Sequence, residues 1–134
     1  MYVDVVQSLP MVQILGLALA GALGTLCRAG LTRVVQRAVG LGFPWGTLTV
    51  NVLGSLLFGL AWALTEKRFA DAAELRLYVL TGFMGAFTTF STLTFDTMAL
   101  VQEERIGAAL GNLALQNLLG LAAVVLGLWL GRTL

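Results

Sequence analysis

Four long apolar runs, parted by clusters of charge, set the plan of this chain. They cover residues 5–27, 38–65, 77–95 and 106–131. Crossing the hydrocarbon core of a bilayer takes about 20 residues of helix, so each run is long enough for one crossing. The pattern predicts four membrane helices in a single domain, residues 1–134. The second helix is expected to begin near Gly46, after the turn Gly-Leu-Gly-Phe-Pro-Trp at 40–45. Residues 66–76 form a polar connection. There Asp71, followed by Glu74, resembles a helix start, with both acids near the positive end of the dipole.

The third run is the irregular one. It is free of charge from Leu77 to Phe95, yet it holds Thr81, Thr88, Thr89, Ser91, Thr92 and Thr94, with Gly82 and Gly85 and four phenylalanines. β-Branched Thr and helix-weakening Gly suit an unbroken helix poorly. A hydroxyl or free backbone group in lipid must find a partner. The stretch is therefore either glue between helices or the lining of a pathway. On an unbroken helix Phe83, Phe87 and Phe90 would share one stripe, opposite Thr81, Gly85, Thr88 and Thr92. A break around residues 85–89 would instead free backbone carbonyls and let hydroxyls and Phe90 face a common space.

Composition agrees with the membrane reading. The chain is 58% hydrophobic and 11% charged, against about 25% charged in soluble domains. An all-α integral membrane protein is the expected class. A net charge of +1 points to no nucleic-acid partner. With no His and only Cys27, a His-dependent triad and an intrachain disulfide are excluded, and a zinc or haem site has no ligand set. The first, second and fourth runs contain no carboxylate, and Asp96 lies just past the end of the third. Proton-coupled carriers use intramembrane carboxylates or His. The pattern favours passive movement over proton exchange or catalysis. No Lys or Arg precedes Arg28, so the start lacks the basic region of a cleavable signal.

Four crossings would put Arg28, Arg33, Arg37 and Arg105 on one side, and Lys67, Arg68, Arg76 and Arg132 on the other. The positive-inside rule acts through a bias in Lys and Arg, and here there is none. The chain is expected to insert either way up, which lets opposed copies pair as an antiparallel dimer about an axis in the membrane plane. The alternative is that Arg28 lies within the membrane and does not count, or that another factor fixes topology.

Polar and small residues mark the helix faces. Gly16, Ala20, Gly24 and Arg28 recur at four-residue spacing, a face small enough for close backbone approach. Arg28 can snorkel to an interface or raise the anion concentration in a vestibule. Asn51 lies inside the second run, as interhelical glue or as a donor of two hydrogen bonds to an anion. Asn112, Gln116 and Gly120 share a face of the fourth run, with Asn117 beside them, and Gly127 and Gly131 form a GxxxG pair.

Three blocks carry a family resemblance. Gly-Ala-Leu-Gly-Thr-Leu-Cys-Arg at 21–28, Pro-Trp-Gly-Thr-Leu-Thr-Val-Asn-Val-Leu-Gly-Ser-Leu-Leu-Phe-Gly at 44–59, and Gly-Phe-Met-Gly-Ala-Phe-Thr-Thr-Phe-Ser-Thr at 82–92 resemble the signature blocks of the Fluc (CrcB-type) fluoride channels. The resemblance implies four-helix subunits with a break in helix three, paired as an antiparallel dual-topology homodimer with two fluoride pores. It implies passive export of fluoride across the prokaryotic plasma (inner) membrane, with membrane lipid as surroundings. It also implies a structural sodium ion at the dimer centre, held by backbone carbonyls.

By motif, Asn51 matches the pore asparagine, and Phe90 the first of two paired aromatics. Ser91 and Thr92 match a polar track, Gly85 and Thr88 the sodium ligands, and Arg28 the vestibule arginine. The second aromatic position is Leu93 here, which has no polarised ring edge. Two rivals share the gross pattern: a small dual-topology multidrug proton antiporter, which needs a carboxylate in helix one, and a non-transporting assembly subunit.

Overall fold

The computed structural model describes residues 9–68 and 73–134, and they are helical apart from short connections. In chain order these are α1 (Met11–Val39), α2 (Trp45–Arg68), α3 (Ala73–Arg76), a π-helical segment (Leu77–Met84), α4 (Gly85–Phe87), α5 (Phe90–Gln102) and α6 (Ile106–Thr133). The expected all-α class holds. Among the described residues, α1, α2 and α6 are each long and apolar enough to span a bilayer.

The first helix runs well beyond its apolar stretch, past Cys27 to Val39. Charge bounded the apolar run at Arg28, but Arg and Gln are good helix formers and carry the helix on. It stops at Gly40, whose φ of 106° suits glycine and whose N–H bonds the Gln36 carbonyl. The Gln36 side chain then pins the turn. Its amide donates to the Gly40 and Phe43 carbonyls and accepts from the Gly46 N–H. After Pro44, α2 begins at Trp45, close to the expected start. Asp71 lies outside the described residues, and Glu74 stands in the first turn of α3.

The third apolar run is not one helix. The π segment passes into α4, and then Thr88 (φ −81°, ψ 158°) and Thr89 (φ −152°, ψ 113°) are both extended. A new helix starts at Phe90, with the Thr89 hydroxyl accepting the Thr92 N–H at 3.2 Å. The break splits the phenylalanine stripe expected on a continuous helix. Phe83 and Phe87 stack with centroids 5.7 Å apart, and Phe87 is buried, while Phe90 is 75% exposed beyond the break.

Small residues bring the helices together. A Cβ on Gly127 would lie 2.1 Å from the Leu56 carbonyl oxygen, and one on Gly59 would lie 2.3 Å from that of Val124. These contacts set α6 backbone to backbone along α2. The Gly16, Ala20 and Gly24 face of α1 packs on the π segment in the same manner, against Tyr78, Gly82 and Phe83. At one end the Arg105 guanidinium donates to the Gly42 carbonyl. At the other, Gln13 donates to Glu74, and Arg76 donates to Thr65 while lying 5.0 Å from the centre of the Trp62 ring. The broken element thus traverses the bundle from one end to the other in two arms.

The α2–α6 contact leaves no room for a methyl group, whereas Gly107 faces open space. Gly127→Ala is expected to destabilise the fold by about 1–3 kcal/mol, and Gly107→Ala to leave it unchanged. Thermal melting of the two variants in detergent checks this; equal melting would remove the close contact as a determinant of the fold.

Candidate functional site

The break lies beside Asn51 of α2. The Asn51 Oδ1 accepts the Thr89 N–H at 2.8 Å, and its Nδ2 donates to the Thr89 carbonyl at 3.0 Å. One side-chain amide thus takes the place of a peptide partner for both backbone groups of an extended residue. The same Nδ2 donates at 2.6 Å to Oε1 of Gln116 on α6. Both of its N–H groups are therefore engaged within the protein.

The bonds continue from Gln116. Its Nε2 donates to Asn112 Oδ1 at 2.9 Å, and Asn112 Nδ2 donates to the Thr97 hydroxyl at 2.9 Å. Thr97 donates to the Leu93 carbonyl at 2.8 Å. Asn112 is 0% exposed and Gln116 is also buried. Their positions four apart on α6 put them on one face, as the sequence suggested. What that pattern did not reveal is that they bond Asn51 and Thr97 in series.

A hollow of about 240 Å³ opens at the break. Asn51, Phe90 and Leu93 all line it, with Thr88, Thr89 and Gln116 among their neighbours. Ser55 and Asn117 complete the lining, so no ionisable side chain contributes. The Ser55 hydroxyl donates to the Asn51 carbonyl, and the Asn117 amide to that of Leu113. Amide and hydroxyl groups line it beside the Phe90 ring, all uncharged, and the Ser55, Thr88 and Thr89 hydroxyls each donate within the protein.

The remaining expected residues separate. Thr92 lines a second hollow of about 320 Å³ near the Arg105 end, shared with Thr32, Gln36, Thr47, Asp96 and Arg105. There the Thr47 hydroxyl donates to Asp96 at 2.6 Å. Ser91 is exposed and lines neither hollow, though its hydroxyl lies 3.3 Å from that of Thr89. Arg28 is half-buried one turn before Thr32 and also lines neither.

Gly85 and Thr88 flank the break from different sides. Gly85 is exposed, in a groove with Thr81, Phe58 and Trp62. Thr88 faces the Asn51 hollow, and its hydroxyl donates to the Met84 carbonyl. Because the Thr89 N–H turns to Asn51, it does not bond the Gly85 carbonyl as a continuing helix would. The extended Thr88 likewise directs its carbonyl off the helical path. Such carbonyl oxygens fit a hard cation and do not fit a soft transition metal.

Comparison with known proteins shows the family. Residues 15–128 match the model of the family described as CrcB-like protein, Camphor Resistance (CrcB). A protein of Solidesulfovibrio magneticus named fluoride-specific ion channel FluC is 51% identical over 116 residues, covering 87% of this chain and 93% of the relative. A protein of the same name from Nitrosococcus oceani is 51% identical over 111 residues, covering 83% and 89%. One from Hydrogenovibrio crunogenus is 40% identical over 126 residues, covering 94% and 96%. A family match over most of the chain, and relatives of this identity aligned almost end to end, make the chain a member of the CrcB-like family.

Proposed function

We propose that this protein is a passive, fluoride-selective channel and not an enzyme. The observation that carries the reading is the neutral polar hollow at the helix break, lined by Asn51, Thr89, Phe90 and Gln116. Fluoride is small and strongly hydrated, so N–H, O–H and ring-edge donors must replace its water. A hollow without carboxylates does not repel an anion, and it provides no proton carrier for coupled exchange. The names of the relatives support fluoride as the ion.

The wider assembly belongs to the same proposal. Each chain crosses the membrane four times, counting the two-armed element as one crossing. Two copies pair in antiparallel orientation, consistent with four basic residues toward each end of the sequence-derived topology. Phe90, Phe95 and Met98 are exposed along α5 of the single chain, an apolar surface for a second copy or for lipid. The backbone carbonyls of Gly85 and Thr88 would hold a structural sodium ion between copies, supplying a fixed charge that stabilises the break. Arg28 would concentrate anions at the entrance, and Ser91 and Thr92 would extend the polar track. The site of action is the plasma membrane of a prokaryote, where the channel lets fluoride leave the cytoplasm.

Purified protein in potassium-loaded liposomes is expected to release fluoride on addition of valinomycin, with little chloride release and no need for a proton gradient. No fluoride release from folded dimers would overturn the channel reading. Phe90→Ala is expected to slow fluoride release at least about tenfold, while dimers persist on size exclusion. Asn51→Ala, which also unties the break, is expected to slow release by at least about tenfold, the equivalent of one lost hydrogen bond to an ion, and to lower the melting temperature as well. Normal efflux from both variants would remove these residues from the pathway. Equal labelling of a terminal cysteine tag from both sides of intact cells and inverted vesicles is the expected sign of dual topology; labelling from one side alone would refute it.

A further inference from the structure

Both N–H groups of Asn51 are already taken, by the Thr89 carbonyl and by Gln116. Asn51 can therefore donate to an anion only if one acceptor withdraws. The Thr89 carbonyl is fixed to the backbone of the break. Gln116 is held by a side chain alone, and it lines the hollow.

The bonds behind Gln116 all run one way. Asn51 donates to Gln116, Gln116 to Asn112, Asn112 to Thr97, and Thr97 to the Leu93 carbonyl. Every side chain after Asn51 in this series carries both a donor and an acceptor. The series can therefore reverse. With the two α6 amides turned half-way round and the hydroxyl rotated, Thr97 donates to Asn112 Oδ1 and Asn112 Nδ2 donates to Gln116 Oε1. Gln116 then presents Nε2 toward Asn51.

Reversal keeps both internal links and gives up two bonds, Asn51 to Gln116 and Thr97 to Leu93. It leaves one N–H of Asn51 and one of Gln116 facing each other in the hollow. Two opposed donors repel when nothing lies between them. The Asn51 and Gln116 amides, 2.6 Å apart at rest, must part to admit an anion. The anion then bridges them from the hollow and receives two charge-assisted bonds, roughly twice as strong as the neutral ones given up. The reversed state is thus stable only when an anion is present.

We infer that Gln116 is a second anion-binding amide, presented by reversal of the Asn112–Thr97 hydrogen-bond series when fluoride enters. This rests on the fluoride-channel reading above. Thr97 serves as a positioning residue: it does not line the hollow and acts through Asn112 and through the carbonyl of Leu93, which does. Removing its hydroxyl deprives the resting direction of two bonds and the reversed direction of one. The loss therefore favours the reversed, anion-binding state.

The test measures current against fluoride concentration in planar bilayers for the full-length protein. Thr97→Val is expected to lower half-saturating fluoride by roughly fivefold, the value of about one neutral hydrogen bond. Thr97→Ser should match wild type, and Gln116→Met should raise half-saturation by roughly tenfold. A purely structural role for Thr97 would not tighten fluoride binding. Independently of any variant, the Gln116 side-chain amide resonance in wild-type protein labelled with 15N-glutamine is expected to shift with sodium fluoride and not with sodium chloride. An unmoved Gln116 resonance, or a Thr97→Val channel with unchanged or weaker half-saturation, overturns the inference. If wild-type protein then still passes fluoride current and Phe90→Ala slows it, the channel reading stands and only the Gln116 assignment falls. A wild-type protein that passes no fluoride removes both.

Discussion

The structure depends on one reciprocal contact, that between the Asn51 side chain and the backbone of Thr89. Two consecutive extended residues inside an apolar helical bundle leave N–H and carbonyl groups without helical partners. Each such group costs several kcal/mol in hydrocarbon if nothing takes its place. The Asn51 amide accepts from the N–H and donates to the carbonyl of the same residue, so it closes the gap as a peptide would. A break of this kind is stable because α2 carries its satisfaction within the apolar run.

That contact ties packing to chemistry. Asn51 can reach the break only if α2 lies close to it, and Gln116 can reach Asn51 only if α6 lies close to α2. Gly59 and Gly127 make the second approach possible, since a single methyl group at either would meet a backbone carbonyl of the other helix. Burial then raises the stakes for Asn112 and Gln116. Inside a low-dielectric bundle an unpaired amide is costly, while a complete series of bonds holds its members in register. Among the described residues no buried side-chain polar atom is left without a partner. The same burial that demands partners also keeps the hollow free of charged groups. Neutral donors are what a small anion needs in order to leave as well as enter.

Exposure divides the surface by role. The leucines of α1, among them Leu15, Leu19, Leu23 and Leu26, point outward, as a lipid-facing helix requires. On α5 the exposed groups are Phe90, Phe95 and Met98, and Phe90 also borders the hollow. Whatever covers α5 in the membrane therefore also covers one wall of the proposed path. In that sense the proposed path and the exposed apolar face of α5 share a surface, while α1 packs on the π segment.

Much of this was legible from sequence because it rests on local properties. Apolar run length set the class and the helices, glycine and threonine content marked the break, and the motif named Asn51, Phe90 and Leu93, which share one hollow. Local pattern could not say that α1 continues through three arginines to Val39, since charge ends an apolar run without ending a helix. Nor could it say that Phe90 leaves the Phe83–Phe87 stack, because two extended residues rotate everything after them. Thr92 turns to the second hollow with Asp96, and Gly85 and Thr88 face opposite sides of the break. The direction of the Asn112 and Gln116 amides was beyond reach for the same reason. Asn51 meets Thr89 across 38 positions and Gln116 across 65. Periodicity assigns a side chain to a face, but only the packed helices decide which polar group waits on the other side.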